Sequence, residues 1–313
     1  EGGYIDKHIS SFDYKEHQKQ KQEMKEESMK KRKKMIWLAG MLLICGMVLS
    51  LIFQNRILYG IQSPYAALME RDGDRILAQK KGEKKMYPAS LTKIMTCLVA
   101  LEHISDLDRK VTMDGNMIDQ AKAQGASRAG FEAGETVTIR DLLYGAMLPS
   151  GAECCLRLSR YVTGSEEKMA ELMNQKAENL GMEHTHFVNV TGLHDENHYS
   201  TAEDLAVLLD AALDRKDFRK IFTTMSYRTS PSNVHPNGMV LNSTLYEYRE
   251  ELQVKQGEFL GGKTGHTSQA GLCLASLVNV KGKEYILVTA GAEDHGGSIP
   301  GHVADAKKIY SKL

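Results

Sequence analysis

Pro88-Ala89-Ser90-Leu91-Thr92-Lys93-Ile94-Met95-Thr96-Cys97-Leu98-Val99-Ala100-Leu101 sets a serine and a lysine three positions apart at the head of an apolar run. Proline ends the preceding extended segment. Leu91, Ile94, Met95, Leu98, Val99 and Leu101 recur at helical intervals, so a buried amphipathic helix opens here with Ser90 and Lys93 on one face. A serine hydroxyl is a weak nucleophile that needs an adjacent base, and a lysine serves only where its surroundings keep it neutral. The free N–H groups and positive end of a helix's first turn favour an oxyanion and depress a lysine pKa. Alone the pattern is weak, because serine, any two residues and lysine recur by chance and a solvated lysine near a helix start explains them.

Two later motifs change that balance. Glu135-Thr136-Val137-Thr138-Ile139-Arg140-Asp141-Leu142-Leu143 reads as a short extended piece entering a helix, and Ser150-Gly151-Ala152 then lies in a loop before another apolar helix. A hydroxyl there can relay a proton between the lysine and a departing amine. Further on, Lys263-Thr264-Gly265-His266-Thr267 stands just before the strand-like run Gly271-Leu272-Cys273-Leu274-Ala275-Ser276-Leu277-Val278. Glycines let a substrate backbone approach a strand edge closely, and lysine with threonine suits a carboxylate. Either motif alone reads as an ordinary loop. In this order, each beside a suitable element, the three describe a serine acyl-transfer site that needs no histidine.

These motifs resemble those of the serine-type D-alanyl-D-alanine carboxypeptidases, the low-molecular-mass penicillin-binding proteins of the peptidase S11 family. The likeness extends through Asn174-Gln175-Lys176-Ala177, Leu180-Gly181-Met182, Thr185-His186-Phe187-Val188-Asn189, Thr191-Gly192-Leu193-His194 and His198-Tyr199-Ser200-Thr201-Ala202, and runs from about Pro64 to the C-terminus. It implies an α+β fold of the penicillin-binding, serine β-lactamase-like transpeptidase type: an antiparallel sheet flanked by helices, with a helical subdomain. It also implies hydrolysis of the terminal D-Ala-D-Ala bond of peptidoglycan stem peptides through an acyl-serine intermediate, without cofactor or metal. Penicillins and other β-lactams, which mimic the dipeptide, would trap the serine.

Carried over by position, the resemblance makes Ser90 the nucleophile, Lys93 its base and Ser150 the proton relay. Lys263, Thr264, Gly265, His266 and Thr267 would bind substrate, and the backbone N–H groups of Ser90 and His266 would form the oxyanion hole. Two departures stand out. The second motif usually ends in asparagine, whose amide touches the substrate, whereas Ala152 has nothing to donate. Where the family often carries an arginine for the substrate carboxylate, His302 is the counterpart, so that carboxylate binding would depend on pH near neutrality.

Charge and hydropathy divide the 313 residues further. Lys+Arg and Asp+Glu balance at 40 each, yet residues 1–34 hold ten of the former against seven of the latter. This solvated, lysine- and glutamate-rich tail reads as disordered and ends in Lys30-Lys31-Arg32-Lys33-Lys34, which suits anionic lipid. Residues 35–53 carry no charge and span roughly 28 Å as a helix, close to the hydrocarbon thickness of a bilayer. The positive flank places the N-terminus in the cytoplasm. No small-x-small cleavage site stands between Ser50 and Ser63, so an uncleaved anchor is expected rather than a signal peptide. The expected organisation is a cytoplasmic tail 1–34, a transmembrane anchor 35–53, a linker 54–63 and an extracytoplasmic catalytic domain 64–313, with no extra β-domain and no nucleic-acid surface. The five cysteines form no framework, although a bridge from Cys97 to Cys154 or Cys155 is left open.

Within the domain, Ala66–Ala78 reads as a hairpin turning at Asp72-Gly73, and Leu272–Val280 with Tyr285–Ala290 as a second one through Lys281-Gly282-Lys283. Helices are expected over Leu91–Ile104, Asp141–Met147, Cys154–Tyr161, Glu166–Leu180, Ala202–Leu213 and Ala304–Ser311, with a capping box of Ser200 and Glu203 before the fifth. Rival functions have their own signals. His184, His186, His194, Asp195 and His198 crowd one loop and invite zinc. A β-lactamase would need a deacylating base, and Glu166 and Glu167 read instead as the first turn of a helix. A membrane-anchored scaffold without turnover is motivated by Ala152. The reaction fits wall trimming, sporulation and glycopeptide resistance equally.

Overall fold

The strand-like run from Gly271 lacks polar alternation, and the structure gives the reason. This computed structural model describes residues 11–71 and 75–313, with side chains from Lys15 to Gly46 and from Arg56 onward. In chain order the first elements are α1 (Ser11–Ile57), β1 (Tyr65–Glu70), β2 (Arg75–Lys80), α2 (Thr92–His103), β3 (Lys110–Thr112), α3 (Gly115–Ala123), β4 (Thr136–Thr138) and α4 (Ile139–Met147). Then come α5 (Ala152–Thr163), α6 (Glu166–Asn179), α7 (Ala202–Leu213), α8 (Lys216–Phe222), β5 (Ser226–Arg228), β6 (Val240–Asn242), β7 (Gly257–Thr267), β8 (Gly271–Val280), β9 (Lys283–Ala292) and α9 (Gly301–Tyr310). Five strands form one antiparallel sheet in the order β2-β1-β9-β8-β7.

Successive strand residues point to opposite faces, and here both faces are covered. Ala67, Met69, Cys273, Ala275, Leu277, Ile286 and Val288 join a core with α2 and α4 to α8. Ala66, Leu68, Leu274, Val278, Val280 and Leu287 join a second core with Val303, Ala306 and Ile309 of α9. Lys281 (φ +52°) and Gly282 (φ +83°) make the two-residue turn between β8 and β9, the left-handed pair that matches hairpin twist. The Asp72-Gly73 turn of the other hairpin lies outside the described residues.

Several expectations need correction. The third motif does not precede a strand; it lies inside β7, at the sheet edge. Helix α7 is capped by Thr201, whose hydroxyl accepts from Asp204 N at 3.0 Å, because Ser200 is already committed to Thr185 at 2.8 Å. The capping box belongs instead to Thr138 and Asp141 at the head of α4. Helices α3 and α8 have no counterpart among the expected helices. Residues 54–63 are no free linker but part of the compact unit Gln54–Leu313. Ile57, Leu58 and Ile61 are buried in the second core, Lys312 Nζ donates to the carbonyls of Arg56, Ile57 and Tyr59, and Asp305 accepts from the N–H groups of Gln62 and Ser63. The expected anchor falls within α1, and its residues 47–53 lie outside the described side chains. Among the described residues no helix is long and apolar enough to cross a membrane.

Candidate active site

The nucleophile turn begins with a strained residue. Ala89 sits at φ +47°, a region L-residues seldom occupy, and starts a single 3-10 turn, Ala89–Leu91, that feeds α2. This places Ser90, half-buried, at the mouth of the helix and Lys93, 2 % exposed, one turn below. Lys93 Nζ lies 2.8 Å from Ser90 Oγ and donates to the Thr191 carbonyl at 2.7 Å. Burial pushes the Lys93 pKa down, opposed by the thiols Cys155, Cys97 and Cys154 and the Glu153 carboxylate. A neutral amine fits both contacts, one N–H for the carbonyl and a lone pair for the serine proton.

The carbonyl that holds Lys93 comes from the loop between α6 and α7. Asn189 shapes it, its Oδ1 accepting from Thr191 N at 3.2 Å and Gly192 N at 2.7 Å, and its Nδ2 donating to Leu193 O at 2.9 Å. Gly192, at φ +83°, lies so close to the nucleophile turn that a Cβ would sit 1.8 Å from the Ala89 oxygen. On the other side, a Cβ on Gly265 would lie 2.9 Å from Ser90 N, so β7 reaches the nucleophile's N–H only because that residue is glycine.

Ser150 also has a strained backbone, φ +66°, and its buried hydroxyl has no hydrogen-bond partner. Behind it, Ala152 N donates to Ser127 O at 2.8 Å, and buried Glu153 Oε1 accepts from Ala129 N at 2.7 Å and Gly130 N at 3.0 Å. Lys263 is fully buried and donates to the Thr264 carbonyl at 2.7 Å; burial above all pushes its pKa well down. Thr244 joins the end of the segment that leads into the second motif to the third motif. Its N–H donates to Leu148 O at 3.2 Å and its hydroxyl meets that of Thr264 at 2.7 Å.

Ser90, Lys93, Lys263 and Gly265 thus converge, and Thr244 links Thr264 to Leu148, two residues before Ser150. His266 is exposed and Thr267 half-buried further along β7, where a cavity of 960 Å³ opens beside His266, Tyr87 and Gln269. His302 departs from expectation: it is buried, Nδ1 has no partner, and burial pushes it down to about 4. It loses its charge near pH 4 rather than near neutrality, so a neutral-pH cation for a carboxylate is not found there. Cys97, Cys154 and Cys155 are free thiols, not a bridge. Among the described residues no three His, Cys, Asp or Glu side chains are grouped to hold a metal. Asn189, Thr191, Thr244 and Glu153 carry no role in the sequence reading. For the first two, the Asn-x-Thr-Gly turn signal at 189–192 was the available hint.

Comparison with known proteins matches this architecture. A family model for peptidase S11, D-alanyl-D-alanine carboxypeptidase, covers residues 54–294. The chain belongs to that family. It is 30% identical to the D-alanyl-D-alanine carboxypeptidase DacF of Bacillus subtilis over 72% of its own length, although it spans only 57% of that relative. It is 32% identical to a D-alanyl-D-alanine carboxypeptidase of a Streptomyces species, covering 75% of this chain and 81% of that one. Among solved structures, the Streptomyces K15 DD-transpeptidase superposes with a TM-score of 0.70 at 29% identity, over 80% of this chain and 95% of that one. The family's fold, an α+β arrangement about an antiparallel sheet, is the one described above.

Proposed function

We propose that this chain is a penicillin-binding serine D,D-carboxypeptidase that removes the terminal D-alanine from peptidoglycan stem peptides. The observation that carries the reading is the buried Lys93 amine 2.8 Å from Ser90 Oγ, held there by the Thr191 carbonyl. Neutral Lys93 takes the serine proton as Oγ attacks the penultimate D-alanine carbonyl. The oxyanion develops against the N–H groups of Ser90 and His266, donors whose loss costs ~10²–10³-fold in rate. Ser150, its hydroxyl uncommitted, relays that proton from Lys93 to the leaving amine, which leaves Lys93 neutral again. Thr264, Gly265 and Thr267 line the terminal carboxylate, with Lys263 behind them. Water then attacks the acyl-Ser90 ester, Lys93 accepts its proton and returns it to Ser90 Oγ as the ester bond breaks. The likeness to a DD-transpeptidase favours a second outcome, attack on the same ester by an amine of another stem peptide.

The uncharged residues 35–53 behind Lys30–Lys34 support a single-pass anchor with the N-terminus in the cytoplasm, the tail 1–34 beneath it and residues 64–313 facing the wall. The test is D-alanine release from a D-Ala-D-Ala-terminated pentapeptide by the full chain in detergent, with Ser90→Ala and EDTA controls. Release that survives EDTA and disappears in Ser90→Ala is expected. A folded, penicillin-labelled chain without release would be a scaffold, and rapid penicillin turnover a β-lactamase.

A further inference from the structure

Among the loop histidines, His198 turns inward. It is 2 % exposed, and its Nδ1 accepts from the backbone N–H of Val188 at 3.2 Å. A backbone N–H can only donate, so the ring proton sits on Nε2, which lies 2.8 Å from Thr92 Oγ1. Thr92 then receives that proton and directs its own hydroxyl proton to the Ala89 carbonyl, 2.8 Å away. The same carbonyl accepts from Thr92 N–H and is the one pressed by Gly192.

Ala89 C=O and Ser90 N–H belong to one planar peptide unit. Whatever fixes the carbonyl fixes the direction of the N–H, and hydrogen bonds accepted by the carbonyl make that N–H a stronger donor. The need for such a hold is visible in the Ala89 φ of +47°, which an alanine does not keep unaided. We propose that His198 is a positioning residue that acts through Thr92 and the Ala89 carbonyl to aim the Ser90 N–H at the oxyanion. The role rests on the carboxypeptidase reading, since only an acyl-transfer site has an oxyanion to bind.

The test uses the full chain and compares His198→Leu, His198→Gln, Thr92→Val and the His198→Leu/Thr92→Val double variant. Measured are kcat and KM for D-alanine release, the second-order rate of penicillin acylation, and Tm. His198→Leu is expected to lower kcat and acylation by ~10–100-fold, part of what losing an oxyanion donor costs, with KM within about twofold. His198→Gln, whose amide offers one acceptor and one donor as the ring does, recovers kcat to within about threefold. Thr92→Val breaks the chain one link on, and the double variant loses no more than the worse single one. If His198→Leu does not fold, His198→Gln and Thr92→Val carry the test, because neither empties the loop.

A fall in Tm with kcat intact, a His198→Gln as slow as His198→Leu, or multiplying losses in the double variant would overturn the proposal while leaving the carboxypeptidase standing. A wild type that neither releases D-alanine nor takes penicillin overturns both.

Discussion

At the first serine turn the unusual backbone angle falls on Ala89 (φ +47°), and at the second it falls on Ser150 itself (φ +66°). Around Ser90 the polar groups are occupied: Oγ faces Lys93, and the Ala89 carbonyl takes the Thr92 hydroxyl. Around Ser150 the hydroxyl is buried without a partner, the neighbouring Ala152 offers only a methyl, and Glu153 holds the 129–130 backbone instead. A buried hydroxyl left unpaired costs about 1–3 kcal/mol. The first turn is therefore preorganised by the protein, and the second is completed only by what binds.

Removing the occupied side of this contrast has the largest effect. Lys93→Met keeps the length and apolar contacts of the stem but not the base, and penicillin acylation should fall about 10³-fold. Stopped-flow acylation within tenfold of wild type would place the proton acceptor elsewhere. Ser150→Ala removes the uncommitted hydroxyl, and D-alanine release should fall about 10²-fold while Tm rises or holds, because an unpaired buried group is lost. A clear drop in Tm would mean that Ser150 is structural.

Local signals were legible in the sequence. Helix α7 starts and ends where periodicity placed it, α2 follows Ser90, and the Lys281-Gly282 turn was readable because its chemistry is contained in neighbouring residues. Strand β7 was not legible, since Gly257, Gly261, Gly262 and Gly265 erase its β signature. Those glycines answer to contacts distant in sequence, such as Ser90 N against Gly265. His198 stood out only as one of the crowded loop residues that invite zinc, because nothing local shows Val188 and Thr92 meeting on its two nitrogens. The strap 54–63 looked free for the same reason, its holders Asp305 and Lys312 lying near the other end of the chain.

Two buried histidines sharpen the contrast by pH. His198, under the first turn, and His302, beside the third motif, are each pushed by burial from 6.5 to about 4. Unfolded chains bind more protons than folded ones in that window. Stability is thus full above pH 6.5 and lost as pH falls toward 4, by on the order of 3 kcal/mol per histidine. His302→Gln should flatten the Tm-against-pH slope between pH 4 and 6.5, and an unchanged slope would show that His302 does not titrate there. Glu153→Gln gives a smaller effect. The Glu153 charge favours the protonated form of Lys93, so removing it lowers the lysine pKa. Because the base must be neutral, the acid limb of kcat/KM should move to lower pH, and movement the other way would deny Lys93 that role.

The smallest change tests the vacancy at the second turn directly. Ala152 is fully buried at the first position of α5, and its N–H is already held by Ser127 O, so an asparagine there can alter the site only through its side-chain amide. An amide aimed at a bound peptide adds one neutral hydrogen bond, worth about 0.5–1.5 kcal/mol, or roughly a two- to tenfold change in affinity. Ala152→Asn should therefore lower KM for the pentapeptide by that factor with kcat within about twofold, since the contact would be made alike in ground and transition states. A rise in kcat with KM unchanged would instead mean that the amide acts on the Lys93–Ser150 proton path, and the second turn would then resemble the first in being set by the protein rather than by its ligand.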